Sequence, residues 1–243
     1  MTQFSVAAVI CAAGASARME GSKKEYRPLP GSTEGLTVLG AAVSAFASIP
    51  EITSIVITVP EDAPLGDAEA RNALPPKLLE EKGTLIQFVS GGKTRQDSVY
   101  NALLSLAASS VNFVLIHDGA RPWVSISIIN QIIDAVQKHH AAIPLLPLVE
   151  TPKETDAPLD TFMNSANTGS VFIKHHLRRS VTGTAQTPQG FAFPEILAAH
   201  RQAASQNISF TDDAEIWASF YGPVAVIPGE PENRKITFAE DLC

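Results

Sequence analysis

Short β-branched or small apolar runs alternate with stretches of helical period five times in the first 148 residues, and the links between them are brief. The runs are Val6–Cys11, Ile55–Val59, Thr84–Val89, Val111–Ile116 and Ala142–Leu148. Such runs have no polar face to turn to water, so they read as strands buried on both sides. Between them the spacing predicts helices over Val38–Ile49 (Thr37 as cap, Pro50 as stop), Leu65–Glu81 (interrupted at Pro75-Pro76), Thr94–Ala108 and Ile126–Lys138. In the third of these, Val99, Leu103, Leu104 and Leu106 are expected to face inward. Strand–helix alternation of this kind builds an α/β domain with a mainly parallel sheet covered on both faces. In such sheets ligands bind outside the C-terminal strand ends.

The rhythm breaks at Glu150–Gln189, about forty residues rich in Thr, Pro, Asp and Asn that also carry Lys153, Lys174, Arg178 and Arg179. A stretch of that length without a helical pattern predicts a functional or interaction element, here an extended β-arm that leaves the sheet and returns at Thr187-Pro188-Gln189. Helices are then expected over Pro194–Ser205 and from the Thr211-Asp212-Asp213 cap to about Phe220, with late strands at Val224–Ile227 and Lys235–Phe238. The expectation is one domain over residues 1–243 with an arm at about 150–189. A net charge of −7, from 18 Lys+Arg against 25 Asp+Glu, argues against nucleic acid or an anionic membrane surface as partner. It leaves room for a small polyanion, which needs only a few converging cations. Cys11 and Cys243 make neither a disulfide framework nor a zinc spacing, which points to a reducing cytoplasm. No apolar run is long enough to span a bilayer, and no signal peptide is expected.

The chemistry-bearing residues gather at the predicted C-terminal strand ends. After the first strand come Ala12-Ala13-Gly14 and the cations Arg18, Lys23 and Lys24. Gly14 can take positive φ and admit close backbone approach, so amide N–H groups can face a phosphate while the cations offset its charge. Gly91-Gly92 follows the third strand, and His117-Asp118-Gly119-Ala120-Arg121-Pro122 follows the fourth. A dinucleotide oxidoreductase would need Gly-x-Gly-x-x-Gly, but only Gly14 occurs between the first strand and Gly21. A P-loop is hinted at by Gly92-Lys93-Thr94, yet Gln87 stands where that motif needs its first glycine. His139-His140 and His175-His176 are adjacent pairs whose side chains diverge on a helix or strand, and are read as solvated.

Taken in order, the motifs resemble the 2-C-methyl-D-erythritol 4-phosphate cytidylyltransferase family nearly end to end. The carriers are Ala12 to Met19, Lys24-Glu25-Tyr26, Gly91-Gly92 with Arg95, Asp97, Ser98 and Val99, His117 to Pro122, Thr151, Thr187-Pro188-Gln189, Thr211-Asp212 and Asn233 to Thr237. Ser16 stands where the family often has glycine, and Lys23 where proline is frequent. The resemblance implies a Rossmann-like nucleotidyltransferase fold and attack of a polyol phosphate oxygen on the α-phosphate of CTP, expelling pyrophosphate. It implies Arg18, Lys24 and Lys235 as catalytic cations, with Lys23 as the alternative to Lys24. Ala12, Ala13, Gly14, Gly91, Gly92, Ser98 and Gly119 are implied at CTP, Ser98 being either a base contact or a plain helix N-terminal serine. Asp118, Arg121, Thr151, Arg179 and Thr187 are implied at the polyol phosphate. Asp118 meets Mg²⁺ or a substrate hydroxyl or caps a turn, and Mg²⁺ is held chiefly by CTP oxygens. Arg95 is open to a structural role beside Asp97 or another acid, and His117 to one in packing. A homodimer through the arm is implied, with Arg179 serving the neighbour. Ribitol-5-phosphate cytidylyltransferase and a non-catalytic nucleotide-binding protein of this fold are the alternatives.

Overall fold

Each residue of Val6–Cys11 is apolar or small, and in the computed structural model the run forms β1 at the heart of the sheet. The structure describes residues 4–14, 23–61, 68–80, 84–159, 162 and 169–242. β1 is parallel to β2 (Ile52–Val59) on one side and to β4 (Phe113–Asp118) on the other, and β3 (Leu85–Ser90) continues beyond β2. Side chains of β1 alternate between faces, as a period of two requires. Val6, Ala8 and Ile10 pack with α1 (Val38–Ala47) and α5 (Ile126–His139), whereas Ala7 and Val9 pack with α4 (Arg95–Ser105), α6 (Phe193–Gln206) and α7 (Asp213–Phe220). The segment broken by Pro75-Pro76 gives two short helices, α2 (Ala68–Asn72) and α3 (Pro76–Glu80). The helices begin where caps predict. Thr37, Thr94, Ser125 and Asp212 each accept a backbone N–H from the first turn, and Thr94 forms a reciprocal capping box with Asp97.

Beyond β4 the sheet is mixed. Its order is β10–β5–β9–β4–β1–β2–β3, with β5 at Ala141–Pro147, β9 at Gln189–Ala192 and β10 at Ala225–Pro228. β9 runs antiparallel between β4 and β5, and β10 lies parallel to β5. The stretch after β5 carries a separate antiparallel ladder of β6 (Lys153–Thr155) and β7 (Ile173–His176), exposed along most of its length. The chain rejoins the main sheet earlier than expected, at β8 (Gly183–Ala185) against β5. Gly183 permits that approach, because a Cβ there would stand 2.6 Å from the Leu146 carbonyl oxygen and 2.7 Å from the Leu145 side chain.

Three expectations fail on physical grounds. Lys235–Phe238 is not a strand: it crosses the ends of the strands rather than an open edge. Its anchors are the Ile236 N–H on the Ala120 carbonyl (2.9 Å) and the Asp241 carboxylate, which accepts from the Thr237 and Phe238 N–H groups. Leu104 faces outward at 40 % exposure, since α4 buries the stripe through Ser98, Val99, Ala102 and Leu103. β4 also runs on through His117 and Asp118, so these two end the strand instead of following it. Among the described residues no helix is long and apolar enough to cross a membrane.

Candidate active site

Strand register sets the floor of the site. Cys11 of β1 lies level with Thr58 of β2 and Asp118 of β4, so three polarisable side chains meet where the parallel strands end. A cavity of about 580 Å³ opens there. Its walls come from the loop after β1 (Ala13, Gly14), the short 3₁₀ segment Lys24–Tyr26 with Lys23, the end of β2 (Thr58, Pro60, Glu61), the start of α4 (Gly92 to Arg95, Ser98) and Lys235. Among the described residues five cations line it against three carboxylates, a local positive excess in a chain of net charge −7. That asymmetry suits a polyanion.

Asp118 is the electrostatic centre. Its Oδ2 lies 3.0 Å from Lys235 Nζ and 3.3 Å from Arg121 Nε, and its Oδ1 lies 3.6 Å from Arg95 Nε. Burial alone would push its carboxyl up, but Lys235, then Arg95 and Arg121, hold it well below the usual carboxylate range. Arg95 does not pair with Asp97, which is occupied in the Thr94 capping box; its Nη1 instead meets the buried Asp213 Oδ2 at 2.8 Å. Arg121 braces the loop by donating from Nη1 to the Asn233 carbonyl at 2.7 Å.

Behind Asp118 runs a buried hydrogen-bond chain. The Asp118 N–H donates to Thr187 Oγ1 (3.1 Å), which lies 3.0 Å from His117 Nδ1; His117 Nε2 is 3.1 Å from the Arg121 carbonyl. A carbonyl only accepts, so Nε2 carries the proton and Nδ1 accepts from the Thr187 hydroxyl. Burial pushes the imidazole down to about 4, which fits this neutral tautomer. His117 is thus a packed, hydrogen-bonded residue that sets the strand end. Burial likewise pushes the Cys11 thiol up to about 12, so it is no nucleophile.

The two neighbouring lysines are anchored differently. Lys23 Nζ donates to the Ala12 carbonyl at 2.9 Å and to that of Gly14, tying down the loop after β1. Burial lowers the affinity of this amine for its proton. Lys24 Nζ donates to the Ile236 carbonyl at 2.7 Å, next to Lys235. Gly14 does not use the positive φ expected of it; among the described residues a Cβ there would meet nothing within 4 Å, and Gly14 lines the cavity. Gly91 is a packing glycine. A Cβ on it would collide with the Ala13 side chain and stand 2.9 Å from Ser98 Oγ. Ser98 is buried, its hydroxyl donating to the Thr94 carbonyl (2.9 Å) and accepting from the Gly92 N–H (3.0 Å), the helix-start role.

Of the residues expected at the site, Ala13, Gly14, Lys24, Gly92, Ser98, Asp118 and Lys235 line the one cavity. Ala12, Gly91, Gly119, Arg121 and Thr187 support its walls: Ala12 N–H donates to Thr58 Oγ1 (3.2 Å) and Gly119 N–H to the Cys11 carbonyl (2.9 Å). Arg18 lies outside the described residues. Thr151 and Arg179 are elsewhere: Arg179 donates to the Val149 carbonyl (2.6 Å) and lines a separate groove with Leu145, Val181 and Val226. Unforeseen were Thr58, Lys93, Glu61 and the Asp213–Arg95 pair. The signal for Thr58 was the one hydroxyl in the otherwise apolar run Ile55–Val59. For Asp213 it was a second acid beside a residue already spent as a cap.

A family model described as 2-C-methyl-D-erythritol 4-phosphate cytidylyltransferase matches residues 6–243. The enzyme of that name from Pelotomaculum thermopropionicum is 36% identical over 238 residues, covering 98% of this chain and 91% of the relative. The bifunctional enzyme IspD/IspF of Paracoccus denitrificans is 39% identical over 239 residues, covering 98% of this chain and 54% of the relative. The chain thus spans about half the length of the bifunctional relatives it matches. Among solved structures, 4-diphosphocytidyl-2C-methyl-D-erythritol synthase from Anaerococcus prevotii is similar with a TM-score of 0.76 at 26% identity, over 98% of this chain and 95% of that one. The 2-C-methyl-D-erythritol 4-phosphate cytidylyltransferase of Thermus thermophilus gives 0.70 at 29% identity, over 98% and 96%.

Proposed function

This chain belongs to the 2-C-methyl-D-erythritol 4-phosphate cytidylyltransferase family, and from that premise we propose that it transfers CMP from CTP to 2-C-methyl-D-erythritol 4-phosphate. A phosphate oxygen of the polyol attacks the α-phosphorus of CTP. The bond from that phosphorus to the bridging oxygen breaks, and pyrophosphate leaves with the electron pair. The nucleophile is already ionised, so no general base is required, and the protein contributes positioning and charge stabilisation. One observation carries the reading: Lys24 and Lys235, from opposite ends of the chain, line a single cavity, Lys24 donating to the carbonyl of the residue after Lys235. Two ammonium groups so placed can follow charge as it builds on the α-phosphate and the leaving group, with Arg18 assigned to the same task. The loop at Ala12 to Gly14 and the turn at Gly91-Gly92 shape the CTP side; Asp118, braced by Arg121 and Thr187, faces the polyol.

Mg²⁺ belongs to the same proposal. Among the described residues no cluster of three or more His, Cys, Asp or Glu side chains is placed to hold a metal, and Asp118, at the end of β4, is a carboxylate held ionised by its cationic neighbours. That donor set fits a cation held mainly by phosphate oxygens with Asp118 as its protein ligand. When bound, the cation neutralises triphosphate charge. A cytoplasmic setting, where thiols stay reduced, is consistent with the unpaired Cys11.

The assembly we propose is a homodimer in which the arm crosses to its neighbour. Thr151 and Arg179 are not among the residues lining the cavity of their own chain, and Val149, Phe172 and Val181 of the same stretch are 65–81 % exposed. Exposed apolar residues on an arm are buried most simply against an identical copy.

The test is pyrophosphate release from CTP with either 2-C-methyl-D-erythritol 4-phosphate or ribitol 5-phosphate as acceptor, ATP and GTP serving as nucleotide controls. Release with CTP and the methylerythritol phosphate is expected. Faster turnover of the ribitol phosphate would reassign the acceptor, and no release with either would leave a non-catalytic nucleotide binder.

A further inference from the structure

One buried His–Asp hydrogen-bonded pair on the α4–α7 side of the cavity lies outside the chemistry just described. Asp213, the first residue of α7, and His200 of α6 are both essentially inaccessible to solvent. His200 Nε2 lies 3.2 Å from Asp213 Oδ1 and, because a carboxylate only accepts, donates to it. The His200 ring is stacked nearly parallel on Tyr100 of α4, with centroids 6.2 Å apart. The other oxygen, Oδ2, takes Nη1 of Arg95 at 2.8 Å. Arg95 is the first residue of α4 and lines the cavity, and its Nε reaches back to Asp118 Oδ1 at 3.6 Å. Asp118 Oδ2 in turn holds Lys235 at 3.0 Å. The contacts form a single line from the core to the cavity: His200, Asp213, Arg95, Asp118, Lys235.

The order of charges along this line is what gives it a purpose. Arg95 has four rotatable side-chain bonds and stands beside a cavity suited to phosphates. Left to itself, its guanidinium would swing toward a triphosphate, and its bidentate fork would compete with the lysines for the same oxygens. Asp213 offers a fixed anionic partner on the protein side. A buried carboxylate whose two oxygens are both engaged cannot shift without losing a hydrogen bond. With Arg95 held on the wall, Asp118 keeps one oxygen for it and the other for Lys235.

We propose that Asp213, oriented by His200, is a positioning residue that keeps Arg95 on the cavity wall, and so keeps Asp118 and Lys235 in register with the α-phosphate. The proposal rests on the cytidylyltransferase reading of this cavity.

The distinguishing readout is a split between kcat and KM. In Asp213→Asn the released guanidinium gains a phosphate contact that does not help the reaction. The kcat should fall about ten- to a hundredfold, the range that misplacement of a reacting group produces, while KM for CTP holds or drops. A merely structural role would instead lower the folded fraction and leave kcat per folded molecule unchanged. Arg95→Ala should abolish the effect: Asp213→Asn added to it should cost no further kcat, whereas added to Lys24→Ala it should multiply the loss. Multiplicative losses with Arg95→Ala, or an unchanged kcat in Asp213→Asn, overturn the proposal. Should Asp213→Asn not fold, Arg95→Lys takes its place. A single ammonium cannot span both carboxylates, so its kcat should fall at least tenfold, and wild-type kcat would overturn the proposal.

A second measurement separates this proposal from the reading beneath it. Thermal unfolding of the ligand-free Asp213→Asn and Arg95→Ala chains and of their double variant reads the pairing without any substrate. Coupled shifts in Tm are expected, and additive ones overturn the assignment whether or not the wild type turns CTP over. Absence of wild-type pyrophosphate release alongside coupled Tm shifts would overturn the functional reading and, with it, the positioning role given to Asp213.

Discussion

Lys24 and Ile236 are 212 residues apart in sequence, yet the ammonium of the first donates to the carbonyl of the second across 2.7 Å. This contact joins the turn after β1 to the segment that carries Lys235, and it gives Lys24 a different anchor from Lys23, whose ammonium is turned onto the Ala12 and Gly14 carbonyls. Lys24→Ala and Lys235→Ala should each lower kcat by two to three decades, the loss expected for one charge-stabilising donor worth roughly 3–4 kcal/mol of barrier. Lys23→Ala should act mainly on KM for CTP, because it loosens the loop without removing the cation facing the reaction. Steady-state kinetics on the three variants, with folding checked by circular dichroism, tests the division. An inactive Lys23→Ala beside an active Lys24→Ala would exchange the two roles.

Gly14 and Gly91 look alike in sequence and differ in the structure. A methyl at Gly91 runs into Ala13, Ser98 and the Val59 carbonyl oxygen, whereas one at Gly14 meets nothing within 4 Å among the described residues. Gly91→Ala should therefore destabilise the fold by about 1–3 kcal/mol, the usual cost of overpacking a tight contact. Gly14→Ala should leave thermal stability near wild type and raise KM for CTP, since only an incoming phosphate would feel the methyl. Equal Tm values with equal KM values for the two variants would contradict the placement of Gly14 at the ligand face.

The His117–Thr187 chain predicts a pH dependence of stability. His117 is buried as a neutral ring with its pKa pushed down to about 4, below the ordinary value of about 6.5. As pH falls between those values the unfolded chain takes up a proton that the native chain refuses. Stability is therefore full above about pH 6.5 and is lost progressively toward pH 4, by up to about 3 kcal/mol. Asp118 and Asp213, held below the usual carboxylate range, lose their contributions only once pH drops below about 4, a separate window. Urea unfolding of wild type and His117→Gln at several pH values measures this. The variant cannot protonate, so its stability should be flatter between pH 6.5 and 4; parallel curves would rule out His117 as the source.

The parallel half of the fold was legible because each of its strands is a short apolar run bounded by a turn or a cap, and Thr37, Thr94 and Asp212 mark helix starts by local chemistry alone. The antiparallel insertion was not. β8 and β9 are only three and four residues long and contain Gly183, Thr184 and Gln189, so they have neither length nor apolar pattern to announce them. Their place depends on glycines fitting under Leu145, Ile132 and Val136, a long-range match with no local signature. The site divided in the same way. Residues in contiguous motifs at strand ends, such as Gly14, Gly92 and Asp118, came together as the alternation implied. The Arg95–Asp213 pair spans 118 positions and belongs to two helices whose packing no local spacing encodes. Lys235 was expected on a strand and instead enters from an extended crossing segment. Its position depends on Asp118 and on the Ile236–Ala120 hydrogen bond rather than on a ladder.

Arg179 supplies the last prediction. Within its own chain it donates to the Val149 carbonyl and lines a groove apart from the 580 Å³ cavity, and Thr151, exposed, does not line that cavity either. If an arm arginine serves the neighbouring subunit, each site of a dimer takes Lys24 from one chain and Arg179 from the other. Arg179→Ala and Lys24→Ala homodimers should then both be nearly inactive, for different reasons. Mixing the two chains under conditions that allow exchange produces hybrids in which one site lacks both groups and the other has both intact. With random pairing half of the dimers are hybrids, and each has one complete site of two, so activity should recover to about a quarter of wild type. Native mass spectrometry of chains differing in mass verifies that exchange has occurred. Recovery near that level places Arg179 at the partner's cavity. No recovery after verified exchange would place it in its own subunit's chemistry or outside the reaction, and the arm would then be an assembly element alone.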